Sequence, residues 1–321
     1  MSFLEVINLK TQFFTRRGVV KAVDGVSFNV ERGETFGLVG ESGCGKSMTC
    51  LSIMRLVPEP GGRIVDGVIR LEGEDLLRKS PKEMIKIRGS KLSMILQDPM
   101  SSLNPVFTIG NQLTEAIRVH QKGKGKELWE RAGKMLQRVQ IPSPEECLRS
   151  WPHQLSGGMR QRVVGAIAIS CEPKLLIADE PTTALDATIQ LQYLRLLREL
   201  QEKTGLTLIF VTHDFGIVAR MCQRAAVMYA GKIVETAEVR ELFDYPTHPY
   251  TQALMRSVPK VEEKVEHLTS IEGQPPPLHQ LPPGCAFASR CACAGDGCRP
   301  EAYPPLIEVK TGHFVSCWKY A

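Results

Sequence analysis

The sequence is short of several features that would each have pointed elsewhere. It has no run of about twenty apolar residues, the length a membrane-spanning helix needs. The best short candidate, Val163 to Ile169, falls well below it. The opening stretch Met1 to Lys10 lacks the basic region, apolar core and small-residue cleavage site of a secretory signal, so none is expected. Aromatic residues make up only 6% of 321, and no basic run with interleaved aromatics marks a nucleic-acid groove. The excess of positive charge is small, +5 with pI ≈ 8.6. That balance suits phosphate ligands or a membrane surface without arguing for nucleic acid. Ten cysteines are present, but a large chain with no export signal is expected to keep its thiols reduced. Five of the ten crowd into the stretch from Cys285 to Cys317, an asymmetry that points to metal rather than a disulfide framework.

What is present reads as an α/β protein. Leu4 to Leu9 and Val26 to Val30 have the pattern of half-buried strands, and Glu34 to Gly40 is an apolar strand entering a glycine-rich turn. A helical stretch follows from Ser47 to Leu56, stopped by the turn cluster Val57 to Gly62. Leu92 to Leu96, Leu175 to Asp179 and Leu206 to Thr212 are further compact strands. Thr108 to His120, Lys126 to Val139 and Thr188 to Lys203 carry helical periodicity. Strands alternating with helices predict a parallel sheet interrupted by a helical insertion. The expected division is a core of 1–98 and 171–244, a helical subdomain of 99–170, and a proline-rich, loop-rich extension of 245–321 that carries the cysteines.

Gly40-Glu41-Ser42-Gly43-Cys44-Gly45-Lys46-Ser47 is a complete G-x-x-x-x-G-K-S loop between a strand and a helix. Its glycines let successive backbone N–H groups turn toward phosphates, and the following helix adds its positive end. Lys46 is expected to reach the β- and γ-phosphates of ATP, and the Ser47 hydroxyl to bind Mg²⁺. The strand Leu175 to Asp179 ends in two carboxylates. Asp179 is placed to help hold Mg²⁺ through its water shell, and Glu180 to accept a proton from the attacking water.

Leu155-Ser156-Gly157-Gly158-Met159-Arg160-Gln161-Arg162 narrows the reading. It resembles the signature motif of ATP-binding-cassette (ABC) ATPases and stands just before the strand ending in Glu180. Ser156, Gly157 and Gly158 open a helix whose N-terminus can form a second anion cradle. The resemblance implies that this cradle closes over the γ-phosphate of nucleotide held by a partner ATPase subunit. Gln97 looks like the family's Q-loop glutamine, a sensor of Mg²⁺ and γ-phosphate. His213 resembles the switch histidine, and Ala184-Leu185-Asp186 the D-loop that crosses the dimer interface. The markers fall in the family's order across about residues 4 to 235. Phe13 and Phe14 are candidates for the ring that the family stacks on adenine.

Gln97-Asp98-Pro99-Met100-Ser101-Ser102-Leu103-Asn104-Pro105, His248-Pro249-Tyr250-Thr251 and Pro283 to Cys291 resemble the peptide and nickel permease branch of importers, most closely its D-type ATPase subunits. The resemblance implies uptake of dipeptides or oligopeptides through two separate membrane permease subunits, fed by an extracytoplasmic substrate-binding protein. The second ATPase subunit is expected to be a distinct one, and this chain to sit peripherally on the cytoplasmic face of the inner or plasma membrane. Nickel or glutathione-type cargo, and more remotely a soluble ABC-type ATPase acting on nucleic acid, are the alternative readings. The helical region around Met100 to Gln140 is expected to receive a cytoplasmic helix of the membrane subunit.

Cys285, Cys291, Cys298 and Cys317 are separated by five, six and eighteen residues, with Cys293 in excess. This spacing matches neither zinc ribbons nor bacterial ferredoxins, so Zn²⁺ and a [4Fe–4S] cluster both stay open from the residues. The family resemblance implies the iron–sulfur cluster, in a structural role, ahead of Zn²⁺ and, a distant third, free thiols.

Overall fold

Apolar periodicity of two marks strands in the first quarter of the chain, and long antiparallel strands result. In this computed structural model, which describes residues 2–183, 185–257 and 271–321 (side chains 99 and 100 apart), the chain forms two compact units. The first comprises residues 1–31, 35–77 and 210–321. Its outer sheet pairs Leu4–Thr15 with Gly18–Val30 on one side and Gly62–Leu71 on the other, all antiparallel. Both hairpin strands run well beyond the short segments that apolar alternation marked, because residues 10 to 15 and 18 to 25 pair in a ribbon with polar outward positions. Gly62–Leu71 follows the turn cluster directly and has too many half-exposed positions to stand out as a strand.

The inner sheet of this unit places Thr35–Val39 parallel to Arg224–Tyr229. It then continues antiparallel through Lys232–Glu238, His313–Val315 and Ile307–Lys310. The parallel sheet expected from strand–helix alternation is therefore extended by antiparallel strands, the last two supplied by the C-terminal extension. All five residues of Thr35–Val39 are buried, as strands covered on both faces must be.

The second unit comprises residues 32–34 and 78–209. Leu92–Ile95 and Leu175–Asp179 pair in parallel, Leu92 opposite Leu175 and Ile95 opposite Ala178. Helices Ile109–His120, Gly125–Arg138 and Gly157–Ile169 surround a core to which Ile109, Leu113 and Ile117 contribute at a spacing of four. Helix Ala187–Thr204 runs from an Asp186 cap to Gly205 in the left-handed conformation, φ +67°.

The described residues of the extension are anchored to the sheet by Glu235 and the charges around it. Glu235, fully buried, accepts hydrogen bonds from the Thr247 and His248 backbone N–H groups at 2.6 and 2.9 Å and pairs with His313 Nε2 at 2.7 Å. His313 Nδ1 also faces Glu241 Oε1 at 3.6 Å, and Lys310 bonds the other oxygen of Glu241 at 2.8 Å. The Glu235 hydrogen bond, with Glu241 adding to it, holds the His313 pKa above its ordinary 6.5 against the opposing effect of burial. A raised folded pKa contributes stability that is full below the unfolded value and lost as pH rises through the folded one. Thermal unfolding should therefore show a melting temperature that falls as pH rises above about 6.5, and a His313→Gln variant that lacks this component of the fall.

Candidate functional site

The glycine-rich loop is built in the first unit, and its carbonyl oxygens are drawn inward. Lys46, 5% exposed, donates from Nζ to the Gly40 carbonyl at 2.7 Å and the Glu41 carbonyl at 3.0 Å. The Gly231 N–H donates to the Cys44 carbonyl at 2.8 Å, and Thr49 donates from both N–H and Oγ1 to the Gly45 carbonyl. With the acceptors engaged, the loop is shaped as a donor surface for an anion. Gly43 and Gly45 have φ of +79° and +107°, conformations that L side chains rarely adopt. A Cβ on Gly40 would run into the Met228 carbonyl, and one on Gly45 into the Ala22 carbonyl. Ser42 is exposed and Ser47 lies in the first turn of helix Lys46–Ile53. Burial pushes the Cys44 thiol pKa up, which makes it a neutral packing residue beside Lys46.

His213 is also in the first unit, exposed between the strand Thr207–Thr212 and the helix Phe215–Met221. Asp214 caps that helix by accepting from the Gly216 N–H at 2.7 Å. Phe14 lies on the outer hairpin, half exposed, with the Arg63 guanidinium 5.8 Å from its ring. It is not a core residue.

In the second unit Asp179 and Glu180 are both buried at the end of their strand. Glu180 has φ +44°, a costly conformation for a non-glycine residue and one that collects at functional sites. Thr183 holds it, donating from N–H and Oγ1 to the Glu180 carbonyl, each at 3.3 Å, and from Oγ1 to Oε2 at 3.1 Å. Gln97 Nε2 donates to the same Oε2 at 2.9 Å. The structure therefore joins Gln97 directly to the Glu180 carboxylate.

Ser156 caps helix Gly157–Ile169, its Oγ accepting from the Met159 N–H at 3.3 Å. A Cβ on Gly157 would meet nothing within 4 Å, so the surface beside it is open. Gly158 differs: a Cβ there would meet Ile189 Cγ2 at 2.8 Å, so helix packing requires glycine. Asp186 is exposed and caps its own helix through the Thr188 and Ile189 N–H groups. Ala184, the first residue of the expected D-loop, lies outside the described residues.

The cysteine expectation needs correction. Cys285, Cys291, Cys293, Cys298 and Cys317 do line one cavity of about 200 Å³. Among the described residues, however, no three His, Cys, Asp or Glu side chains are placed to hold a metal ion. Burial, first among the causes, raises the thiol pKa values of Cys285, Cys291 and Cys317, and the neighbouring cysteines add to it. As arranged, this donor set does not fit a [4Fe–4S] cluster or Zn²⁺, and no step below passes through one.

Sequence reasoning missed the residues that brace these groups. Thr183 stands three residues from Glu180, and a threonine at that offset carries no signal alone. Tyr250 accepts the Glu41 N–H at 3.0 Å, and Arg290 binds the Glu41 carboxylate, from positions far along the chain.

The loop, the buried acidic pair and the capped signature helix define an ATPase of the cassette type. The ABC transporter family model matches residues 23–183, and that of the oligopeptide/dipeptide transporter C-terminal region matches residues 234–298. The chain is 50% identical over 319 residues to the oligopeptide transport ATP-binding protein AppD of Bacillus subtilis, covering 99% of this chain and 97% of that protein. It is 46% identical to the dipeptide transport ATP-binding protein DppD of Escherichia coli, covering 99% and 96%. A solved dimer of the ATP-binding cassette MJ0796 bound to ADP and Pi superposes with a TM-score of 0.67 at 26% identity, covering 74% of this chain and 99% of that one. The chain belongs to the ABC transporter family of ATP-binding subunits, in the branch that carries the oligopeptide/dipeptide transporter C-terminal region. No helix among the described residues is long and apolar enough to cross a membrane.

Gly45 and Gly43 offer a graded test of the loop. Gly45→Ala should cost at least about 2 kcal/mol of stability and remove detectable nucleotide binding. Gly43→Ala, with nothing within 4 Å of the added methyl, should cost only the backbone strain. Thermal melts and fluorescent-ATP titration of both variants would check the ranking.

Proposed function

We propose that this chain powers import of dipeptides or oligopeptides, binding MgATP at the Gly40–Ser47 loop and hydrolysing it with Glu180 as the base. The observation that carries the reading is the preformed loop, with Lys46 buried and bonded to the Gly40 and Glu41 carbonyls. Those bonds hold the ammonium at the loop, where a β- or γ-phosphate can join the carbonyls as its partner. Ser47 and Asp179 serve Mg²⁺, with Gln97 reporting its arrival. A carboxylate held by Gln97 and Thr183 is oriented for a water nucleophile, and His213 is the switch residue for the γ-phosphate.

Ser156, Gly157, Gly158 and Asp186 act in trans, on nucleotide held by a second and distinct ATPase subunit. The open surface beside Gly157 supports that role. Coupling to two membrane permease subunits is supported by an apolar-lined cavity of about 420 Å³ in the second unit, bordered by Leu96, Ala116, Val119 and Ile167. Val119, which borders it, is 60% exposed. Exposed apolar surface next to a cavity fits a docked helix. Gln97 directly follows Leu96, so the docking surface and the catalytic carboxylate meet at one chain segment. The chain would then lie on the cytoplasmic face of the membrane, receiving substrate indirectly from an extracytoplasmic binding protein.

Uptake tests the cargo. Deleting the gene should abolish entry of labelled dipeptides or pentapeptides, and the wild type but not Lys46→Ala should restore it. Loss of nickel uptake with peptide uptake intact would move the proposal to a nickel importer. Glu180→Gln should accumulate an ATP-bound dimer with the partner ATPase, visible by size exclusion; steady turnover in that variant would count against the assigned base.

A further inference from the structure

Glu41 sets an electrostatic problem inside the proposed ATP site. It places a carboxylate on a loop whose task is to receive a polyphosphate, with its side chain 26% exposed. Like charges at that range oppose binding. The structure answers with Arg290, 249 residues along the chain, whose side chain is only 4% exposed. Arg290 Nη1 donates to Glu41 Oε2 at 2.8 Å and Nη2 to Oε1 at 3.1 Å, a two-pronged pair. The remaining donors are also taken: Nε–H by the Glu272 carbonyl at 3.1 Å, Nη1 by Tyr229 Oη at 3.3 Å, and Nη2 by the Ile271 carbonyl at 3.3 Å. Every N–H of the guanidinium thus has an acceptor, so its orientation is determined by the protein and not by the loop alone. Tyr250, fully buried, takes the Glu41 N–H at 3.0 Å, which fixes the backbone of the same residue. Tyr229, Tyr250 and Phe287 pack ring to ring, with centroids 4.6 to 5.3 Å apart, beneath the pair.

We propose that Arg290 is a positioning residue for ATP binding: the C-terminal extension neutralises Glu41 and holds the phosphate loop in its receptive form. Arg290 does not touch the nucleotide; it acts through Glu41. The extension thereby becomes part of the ATP-binding apparatus, and a displacement of the segment Ile271 to Arg290 releases a negative charge into the loop. This rests on the reading of Gly40–Ser47 as the nucleotide site.

The test is MgATP titration of the full-length chain by calorimetry, with melting temperature measured without nucleotide. Arg290→Met keeps the apolar stem and should weaken MgATP binding about tenfold, a coupling typical of a buried charge pair. Adding Glu41→Gln in that background should recover most of the loss, because the uncompensated carboxylate is then gone. A purely architectural arginine would not be rescued by removing its partner's charge. Wild-type affinity in Arg290→Met, or no recovery in the double variant, would overturn the proposal. Should Arg290→Met fail to fold, Arg290→Lys keeps the charge and gives up the two-pronged geometry; it should bind more weakly, and unchanged affinity would overturn the idea. Lys46→Ala is the control for the underlying reading, since undiminished MgATP binding there would remove the loop itself as the site.

Discussion

A loop that receives phosphate must present donors, and so must dispose of its own acceptors. The carbonyls of Gly40, Glu41, Cys44 and Gly45 are each engaged within the protein: two by Lys46, one by the Gly231 N–H and one by Thr49. The local fold follows from this arrangement. Gly231 must come close to the loop, so the turn between Arg224–Tyr229 and Lys232–Glu238 is tight, and Gly231 itself has φ +83°. Met228 lies so near that Gly40 cannot carry a side chain. The parallel pairing of Thr35–Val39 with Arg224–Tyr229 is what brings the loop and that turn together.

The second unit solves a different problem by register. Ile95 lies opposite Ala178 in a parallel pair, so the residues two further on, Gln97 and Glu180, emerge side by side. Their hydrogen bond is a consequence of strand pairing and needs no special turn. Glu180 nevertheless pays a conformational cost at φ +44°, offset by the Thr183 hydrogen bonds.

Much of this was legible because the relevant relations are short in sequence. The phosphate loop, the Asp179–Glu180 pair and the Ser156 cap each occupy a few consecutive residues, and spacing alone implies their geometry. The helices Ile109–His120 and Ala187–Thr204 were readable from apolar periodicity to within a residue or two at each end. Gly62–Leu71 was not, since four of its ten positions are exposed without clean alternation. His313–Val315 is too short to carry a pattern. The cysteines show the opposite failure: their clustering was visible and they do gather round one cavity, yet counting thiols could not reveal that, among the described residues, no three are placed to hold a metal ion. Arg290 was the least readable of all, because its partner lies 249 residues away and only the fold makes them neighbours.

The extension explains why an arginine occupies that position. A buried ion pair is weak evidence of stability, since desolvation of both charges offsets most of their attraction. Simple anchoring is already supplied by other means: Tyr250, Ala286 and Phe287 belong to a shared apolar cluster with Val227, Tyr229 and Val234, and Glu235 ties down both ends of the extension through Thr247, His248 and His313. A leucine at position 290 could have added to that cluster at no desolvation cost. It could not have offset a carboxylate in a polyphosphate site. The arginine makes physical sense when the quantity it serves is the charge and orientation of Glu41, which places the extension's contribution at the nucleotide and not only in the fold.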